Sequence, residues 1–197
     1  MPKIVDHEAR RQELYAVAAA LIANGGMEAA TIRDIAQASG YSKGVVEHYF
    51  ENKDELISGA LAWVNQQYEQ RVEKVTAGFS GLEALRKRMK ATLPLDKTVR
   101  NEWKVRLVFW SLAGIHPELR KAQEQRFQKA LDFFERDIAD AIRMGEISSE
   151  ENSADRARRL LNMTTGISTA ALHNLSLYNK TFLLQEIDYL IDRVVNN

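Results

Sequence analysis

Three helix starts crowd into the stretch from Thr31 to Leu56. Thr31 is followed three residues later by Asp34, and Asn52 by Glu55, and both are capping-box patterns. Between them Gly40 stops one short helix and Ser42 can cap the next. The helix from Thr31 lasts only about two turns, and a turn of about three residues around Gly40 leads into its successor, which is the layout of a helix-turn-helix. In that motif the second helix enters the major groove. The apolar spacing agrees: Ile32, Ile35 and Ala36 make one stripe, and Val46 and Phe50, four apart, make the facing one. Lys43, Gly44, Glu47 and His48 then point away from the core, with Val45 beside them. A glycine in mid-helix costs about 1 kcal/mol relative to alanine. Gly44 makes sense where a bulky partner must approach closely.

The same run resembles the DNA-binding region of TetR-family repressors. Thr31, Ile35, Ala36, Gly40, Ser42, Gly44, Tyr49, Phe50, Lys53 and Leu56 stand in register with that family's pattern. Ser39 replaces the usual alanine, Tyr41 the usual valine and Glu47 the first of two tyrosines. The resemblance implies a recognition helix over about 42–49 and phosphate hydrogen bonds from the hydroxyls of Thr31 and Tyr49. On the motif's docking geometry Lys43 can reach guanine O6/N7 or a phosphate, and His48 a phosphate or a base edge. Lys53, in the first turn of the following helix, adds its ammonium to the backbone amides there. Glu47 accepts from cytosine N4, repels wrong sequences, or sits on the rim touching nothing. The candidate DNA contacts are therefore Thr31, Arg33, Ser42, Lys43, Gly44, Val45, Glu47, His48, Tyr49 and Lys53.

Charge gives this reading little help. Acids and bases cancel over the chain. In the first sixty residues Lys3, Arg10, Arg11, Arg33, Lys43 and Lys53 are outnumbered by Asp6, Glu8, Glu13, Glu28, Asp34, Glu47, Glu51, Asp54 and Glu55. Phosphates can instead be held by backbone N–H groups and the positive ends of helix dipoles, and the motif supplies three such ends. Arg10, Arg11, Arg33, Lys43 and Lys53 lie near them, so the expected salt dependence is modest per subunit. The length suits one or two domains with a sizeable core. An apolar fraction of 45% and a charged fraction of 27% are ordinary for a soluble globular protein. Without cysteine there are no disulfides or thiolate metal sites. No signal peptide or bilayer-spanning stretch is visible, so a cytoplasmic protein without membrane contact is expected.

Along the chain, residues 1–6 read as a short arm and about 7–24 as a helix with Leu14, Val17, Ala18, Leu21 and Ile22 on one face. After the motif, about 53–76 is a long helix shared between the DNA unit and whatever follows, a lever whose tilt would move the motif. Helices are expected over about 82–93, 96–115, 117–144, 154–175 and 181–195. Arg86, Lys87, Arg88 and Lys90 on the first of these are either a second DNA patch or a solvated face. The fold class is all-α, about nine helices without strands: an N-terminal three-helix helix-turn-helix domain over 1–52 and a helical regulatory and dimerisation domain over 53–197.

Leu93-Pro94-Leu95-Asp96, Glu102-Trp103, Phe109-Trp110 and Pro117-Glu118-Leu119 resemble the C-terminal domain of BetI-like TetR repressors. That resemblance, over about 82–147, implies a dimeric regulatory domain and control by a small molecule without naming it. Trp103, Leu107, Trp110 and Gly114 share one helical stripe. Its tryptophans either wall a pocket that holds a cation by cation–π contact or serve as packing aromatics. Phe127, Phe134, Tyr68, Met163 and His173 are possible neighbours of such a pocket. The last two helices carry Leu160, Met163, Thr164, Ile167, Ala170 and Ala171, with small Gly166 and Ser168, then Leu183, Ile187, Leu190, Ile191 and Val194. So much apolar face suggests a four-helix bundle with a second copy, and two-fold symmetry requires a palindromic operator with half-sites about 34–36 Å apart or a multiple.

No residue three before a histidine is Glu, which removes the di-metal carboxylate pattern. No phosphate loop, Gly-x-Ser-x-Gly or cysteine nucleophile appears. The reading is a non-enzymatic, homodimeric regulator of transcription, a repressor, which binds double-stranded operator DNA and is released by an unidentified small-molecule effector, without cofactor or metal. The rival is a helical protein–protein interaction module that no longer binds DNA, supported by the acidic first domain and Glu47.

Overall fold

The computed structural model describes residues 6–148 and 152–196, the last three of these by backbone alone, so the expected arm, all but Asp6, lies outside them. Among the described residues are nine α-helices and no strand: α1 (His7–Gly25), α2 (Ile32–Ser39), α3 (Lys43–Tyr49), α4 (Lys53–Thr76), α5 (Gly81–Thr92), α6 (Lys97–Ala113), α7 (Pro117–Arg143), α8 (Ser153–His173) and α9 (Lys180–Asn196). A 3-10 turn, Met27–Ala29, which no sequence signal announced, joins α1 to α2.

Local chemistry sets most of the starts. Asp6 accepts from the Ala9 N–H at 3.0 Å, Thr31 from Asp34 at 3.1 Å, Ser42 from Val45 at 3.3 Å and Asn52 from Glu55 at 2.8 Å. Each satisfies a donor with no partner inside its helix. Gly40 ends α2 in the left-handed region, at φ 75, its N–H directed at the carbonyls of Ala36 and Gln37. The start of α5 is different, because Ser80 makes no side-chain cap and Glu146, in the turn that follows α7, accepts the Leu82 N–H at 2.8 Å. Gly81 has φ 63, and a Cβ there would stand 2.2 Å from the Glu146 carboxylate.

Two cores result. In the first, Leu14, Ala18 and Ile22 of α1 meet Ile35, Val46 and Phe50, then Leu56, Ala60 and Val64 of α4 and Val105 and Phe109 of α6. In the second, Leu85 and Met89 of α5 pack with Phe134 and Ile138 of α7, Leu160 and Leu161 of α8, and Leu183, Ile187, Leu190 and Ile191 of α9. The 24 residues of α4, about 36 Å at 1.5 Å per residue, connect the first core to the rest.

The second core corrects an expectation. Leu160, Thr164, Ala171, Leu183, Ile187, Leu190 and Ile191 were assigned to a surface between two copies, yet all are buried inside one chain. Periodic apolar residues show that a face is covered; they do not show by what. Of the other residues assigned to that surface, Met163 is 47% exposed, Ile167 and Ala170 are half-buried, and Val194 lies outside the described side chains.

The basic cluster of α5 is neither a free patch nor a solvated row. Arg88 pairs with Asp137 of α7, and both are buried. Lys87 pairs with Glu83 at 3.2 Å and covers the Phe79 ring. Arg86 and Lys90 both bond Asp188 of α9. Partial burial pushes the Asp188 pKa up, but the hydrogen bonds from Lys90 and Arg86 outweigh it and hold the carboxyl below its ordinary value. A carboxylate with a depressed folded pKa gives stability that is complete above its unfolded pKa, about 3.9, and lost as pH falls through the lower folded value. Asp188→Asn should therefore flatten the acid limb of a thermal-stability profile below about pH 4; an unchanged limb would show that this clamp contributes nothing.

Candidate nucleic-acid interface and interior cavity

α2 and α3 turn Ile35, Ala36 and Val46 onto the first core. The opposite side of α3 carries Lys43, Gly44, Glu47 and His48, all exposed, with Val45 half-buried at the margin. A Cβ built on Gly44 meets nothing within 4 Å, so neither packing nor a turn demands the glycine. The Lys43 ammonium lies 3.0 Å from the Glu47 carboxylate, with side chains 65% and 50% exposed. An exposed pair of this kind is worth well under about 1 kcal/mol, and a phosphate can displace Glu47 from it.

Arg33 is exposed on α2, and Lys53, half-buried, opens α4. Two hydroxyls assigned to DNA are already engaged. Thr31 accepts from the Asp34 N–H and donates to the Asp34 carboxylate, and Ser42 caps α3. The half-buried Tyr49 ring packs at 5.3 Å against His7 and edge-on at 5.6 Å against His48.

Arg11 is the residue that sequence reasoning misplaced. Expected near phosphates, it turns inward, donating to the Tyr49 carbonyl at 2.6 Å, the Tyr15 hydroxyl at 2.8 Å and Glu55 at 2.7 Å. Its guanidinium lies 4.8 Å from the Phe50 ring centre. One side chain of α1 thereby fixes the C-terminal end of α3 and the first turn of α4. The hydrogen bond from Arg11 also holds the Glu55 carboxyl below its ordinary pKa, helped by the Glu51 N–H. Arg10 is likewise engaged, 4.6 Å over the Tyr41 ring, whose hydroxyl donates to Glu13. No short-range pattern links Arg11 to residues so distant in sequence.

A cavity of about 610 Å³ opens between α4, α6 and α7. Tyr68, Trp103, Trp110 and Phe127 line it, whereas Leu107, Phe134, Met163 and His173 do not. Phe134 is part of the second core, and Met163 and His173 lie exposed on α8. The two tryptophans are not parallel walls: their rings meet edge-to-face, 5.8 Å apart at 85°. Trp103 is 2% exposed and its indole donates to the Thr92 carbonyl at 2.7 Å. Unforeseen on this lining are four arginines, Arg88, Arg106, Arg126 and Arg136, of which the first and last face Asp137. Burial, then the charge of Arg126, pushes the Arg106 pKa down to about 10; burial also lowers that of Arg126. Both stay protonated at neutral pH. Glu102, four residues before Arg106, is held by Arg71 of α4 through two bonds of 2.7 Å.

The molecule is thus a helix-turn-helix unit joined to a bundle with an interior cavity by the long α4 and by α6, whose Val105 and Phe109 enter the first core. Residues 14–60 match the profile of bacterial regulatory proteins of the tetR family, and 81–195 that of the BetI-type transcriptional repressor C-terminal domain. The chain belongs to the TetR family, with a C-terminal domain of the BetI type.

Among curated relatives, it is 37% identical over 75 residues to the HTH-type transcriptional regulator PksA of Bacillus subtilis, covering 38% of this chain and 37% of that protein. It is 31% identical over 130 residues to BetI 1 of Chromohalobacter salexigens, covering 62% of each. The matches thus span less than two thirds of either relative. A transcriptional regulator from Rhodococcus sp. Rha1 superposes with TM-score 0.79 at 27% identity, over 93% of this chain and 95% of that one. A regulator from Saccharomonospora viridis in complex with choline gives TM-score 0.86 at 20% identity, over 94% and 96%. AibR, in complex with isovaleryl coenzyme A and operator DNA, gives 0.69 at 21%, over 94% and 98%. Both of these likenesses are of fold.

Proposed function

We propose that this chain is a DNA-binding regulator of transcription, a repressor that grips a palindromic operator as a homodimer and lets go when a small molecule fills the α4–α6–α7 cavity. One observation carries the reading. α4 begins at Lys53, after the three residues that follow α3, and farther along places Tyr68, Glu69 and Val72 on the cavity wall. A ligand that prefers one tilt of α4 over another changes the presentation of α3, and the shift cannot exceed its difference in affinity for the two states. The division is between an operator-binding unit over 1–52 and a regulatory unit over 53–197, with Lys43, Tyr49 and Lys53 the principal contacts.

The dimer surface in this reading is the exposed remainder of α8 and α9. Met163, Gly166, Ile167 and Ala170 recur at helical spacing on α8, and Phe182 and Tyr189 on α9. No described helix is long and apolar enough to cross a membrane; the protein acts in the cytoplasm and has no catalytic role. The test is binding of the purified chain to a palindrome-containing fragment from its own upstream region, with random-sequence competitor and a salt titration. Specific, salt-sensitive binding supports the reading. A folded dimer that shows none at low salt would favour the interaction module instead.

Gly44 supplies a further prediction. Gly44 is the second residue of α3 and not in mid-helix, so Gly44→Ala should raise stability by less than the roughly 1 kcal/mol of a helix interior; its Cβ meets open space. The same methyl lies on the face offered to the groove, so operator affinity should fall severalfold while melting temperature rises. Affinity unchanged in a stabilised variant would remove Gly44 from the interface.

A further inference from the structure

We propose that the α4–α6–α7 cavity takes a monoanionic carboxylate with an apolar or aromatic body, seated on the Arg106 guanidinium and the Trp110 indole N–H. The proposal rests on the reading of this cavity as the regulatory site and names the chemical class of its ligand.

Arg106 is 2% exposed, yet its Nε and Nη2 have no hydrogen-bond partner among the described residues. These two nitrogens form one side of the guanidinium fork, the edge that meets a carboxylate through two parallel bonds. The nearest acid does not fill that role. Glu102 stands 3.6 Å from Nη2, beyond hydrogen-bond reach, and both its oxygens accept from Arg71. Trp110 Nε1 is also buried without a partner among the described residues. Three unpaired donors on one lining form a site whose missing member is an anion, and the half-buried Arg126, whose Nε donates to Gln123 at 3.3 Å, adds positive charge beside them. Glu102 is the one counter-charge near Arg106 and is shared with Arg71; a buried cation so weakly paired is costly, and an incoming carboxylate lowers that cost.

A quaternary ammonium meets the reverse situation. The aromatic faces it would need are occupied by the protein's own cations. The Arg106 guanidinium lies 4.7 Å from the Tyr68 ring centre and 5.3 Å from that of Trp103, and Arg126 lies 5.7 Å from that of Trp110. Two carboxylates nearby are engaged, Glu69 on Lys129 at 2.8 Å and Glu102 on Arg71 at 2.7 Å, and the third, Glu73, is exposed on α4 rather than buried beside the aromatic rings. Val72, Phe127, Ala130 and Leu161 supply apolar wall, which suits a hydrocarbon body and gives little to a small, fully hydrated anion.

Calorimetry on the full chain without DNA separates charge from shape. The probes are 3-phenylpropanoate, 3-phenylpropan-1-ol and 3-phenylpropyl-trimethylammonium, with octanoate and octyl-trimethylammonium as a second body. At least one carboxylate should bind about tenfold or more tighter than its neutral or ammonium counterpart, as expected for hydrogen bonds to a charged partner. Arg106→Met should erase the preference, and Arg126→Met should reduce it. In the absence of ligand Arg106→Met should melt at or above the temperature of the parent, because no lone charge remains buried.

An ammonium that binds as tightly as the carboxylates, no carboxylate binding at millimolar concentration, or a preference that survives Arg106→Met would each overturn the proposal. So would a ligand-free Arg106→Met chain, and with it Arg126→Met, melting well below the parent, since that would mean both guanidinium groups are already satisfied. Operator binding measured on the same preparation separates the two readings. A chain that binds operator but no carboxylate loses only this inference. A folded dimer that binds carboxylate but no operator loses only the regulatory function.

Discussion

Asp137→Ala should destabilise the protein by about 3–5 kcal/mol, the cost of leaving one member of a buried ion pair alone. Asp137 is 2% exposed and Arg88 3%. The pair is two-pronged, Nε to Oδ2 at 2.6 Å and Nη2 to Oδ1 at 3.2 Å, and ties α5 to α7 across the second core. With the carboxylate gone, the Arg88 guanidinium loses both of these acceptors, while the Phe133 ring stays 4.9 Å away. Arg136, 3.7 Å from Asp137 but with its side chain 59% exposed, can turn to solvent at little cost. For a chain of this length a kilocalorie corresponds to about 2–4 °C, so thermal unfolding should fall by on the order of 10 °C. The paired change Arg88→Met with Asp137→Leu should recover most of the loss, since apolar residues of similar volume replace such pairs without penalty. A drop of under about 1 kcal/mol for Asp137→Ala alone would mean that water already reaches the pair.

Arg11→Ala should weaken operator binding by about tenfold or more, the worth of charge-assisted hydrogen bonds that position the interface, and leave the salt slope unchanged. Arg11 spends its donors on the Tyr49 carbonyl, the Tyr15 hydroxyl and Glu55, so its loss releases the end of α3 without removing a phosphate contact. Lys43→Ala is the comparison. If its exposed ammonium meets a phosphate, the variant should lower the slope by about one counterion as well as the affinity. Arg11→Lys should not rescue, because a point charge cannot reach three acceptors in the plane of a guanidinium. A reduced salt slope in Arg11→Ala would return this residue to the DNA.

The helix starts at Thr31, Ser42 and Asn52 were legible because a cap is a bond across three residues, written in adjacent text. The outward face of α3 was legible for the same reason: Val46 and Phe50 fix which side is buried and leave Lys43, Gly44, Glu47 and His48 opposite. Family likeness added the role. Of the cavity, Tyr68, Trp103, Trp110 and Phe127 were named in advance; its charge was not. Glu102 and Arg106 stand four apart on α6, a spacing that by itself says nothing of what else reaches either of them. Only the fold brings Arg71, on another helix, to claim Glu102 and leave Arg106 without an acceptor.

The remaining differences share one physical cause. A chain's own text determines where helices begin and which of their faces seek cover, since propensity, capping and apolar period act over a few residues. Which neighbour provides the cover depends on contacts between distant segments, each worth about as much as its alternatives until the whole packs. That is why α9 closes over its own subunit through Leu183, Ile187, Leu190 and Ile191. It is also why Glu146 rather than Ser80 caps α5, and why Arg11 holds the recognition helix from behind.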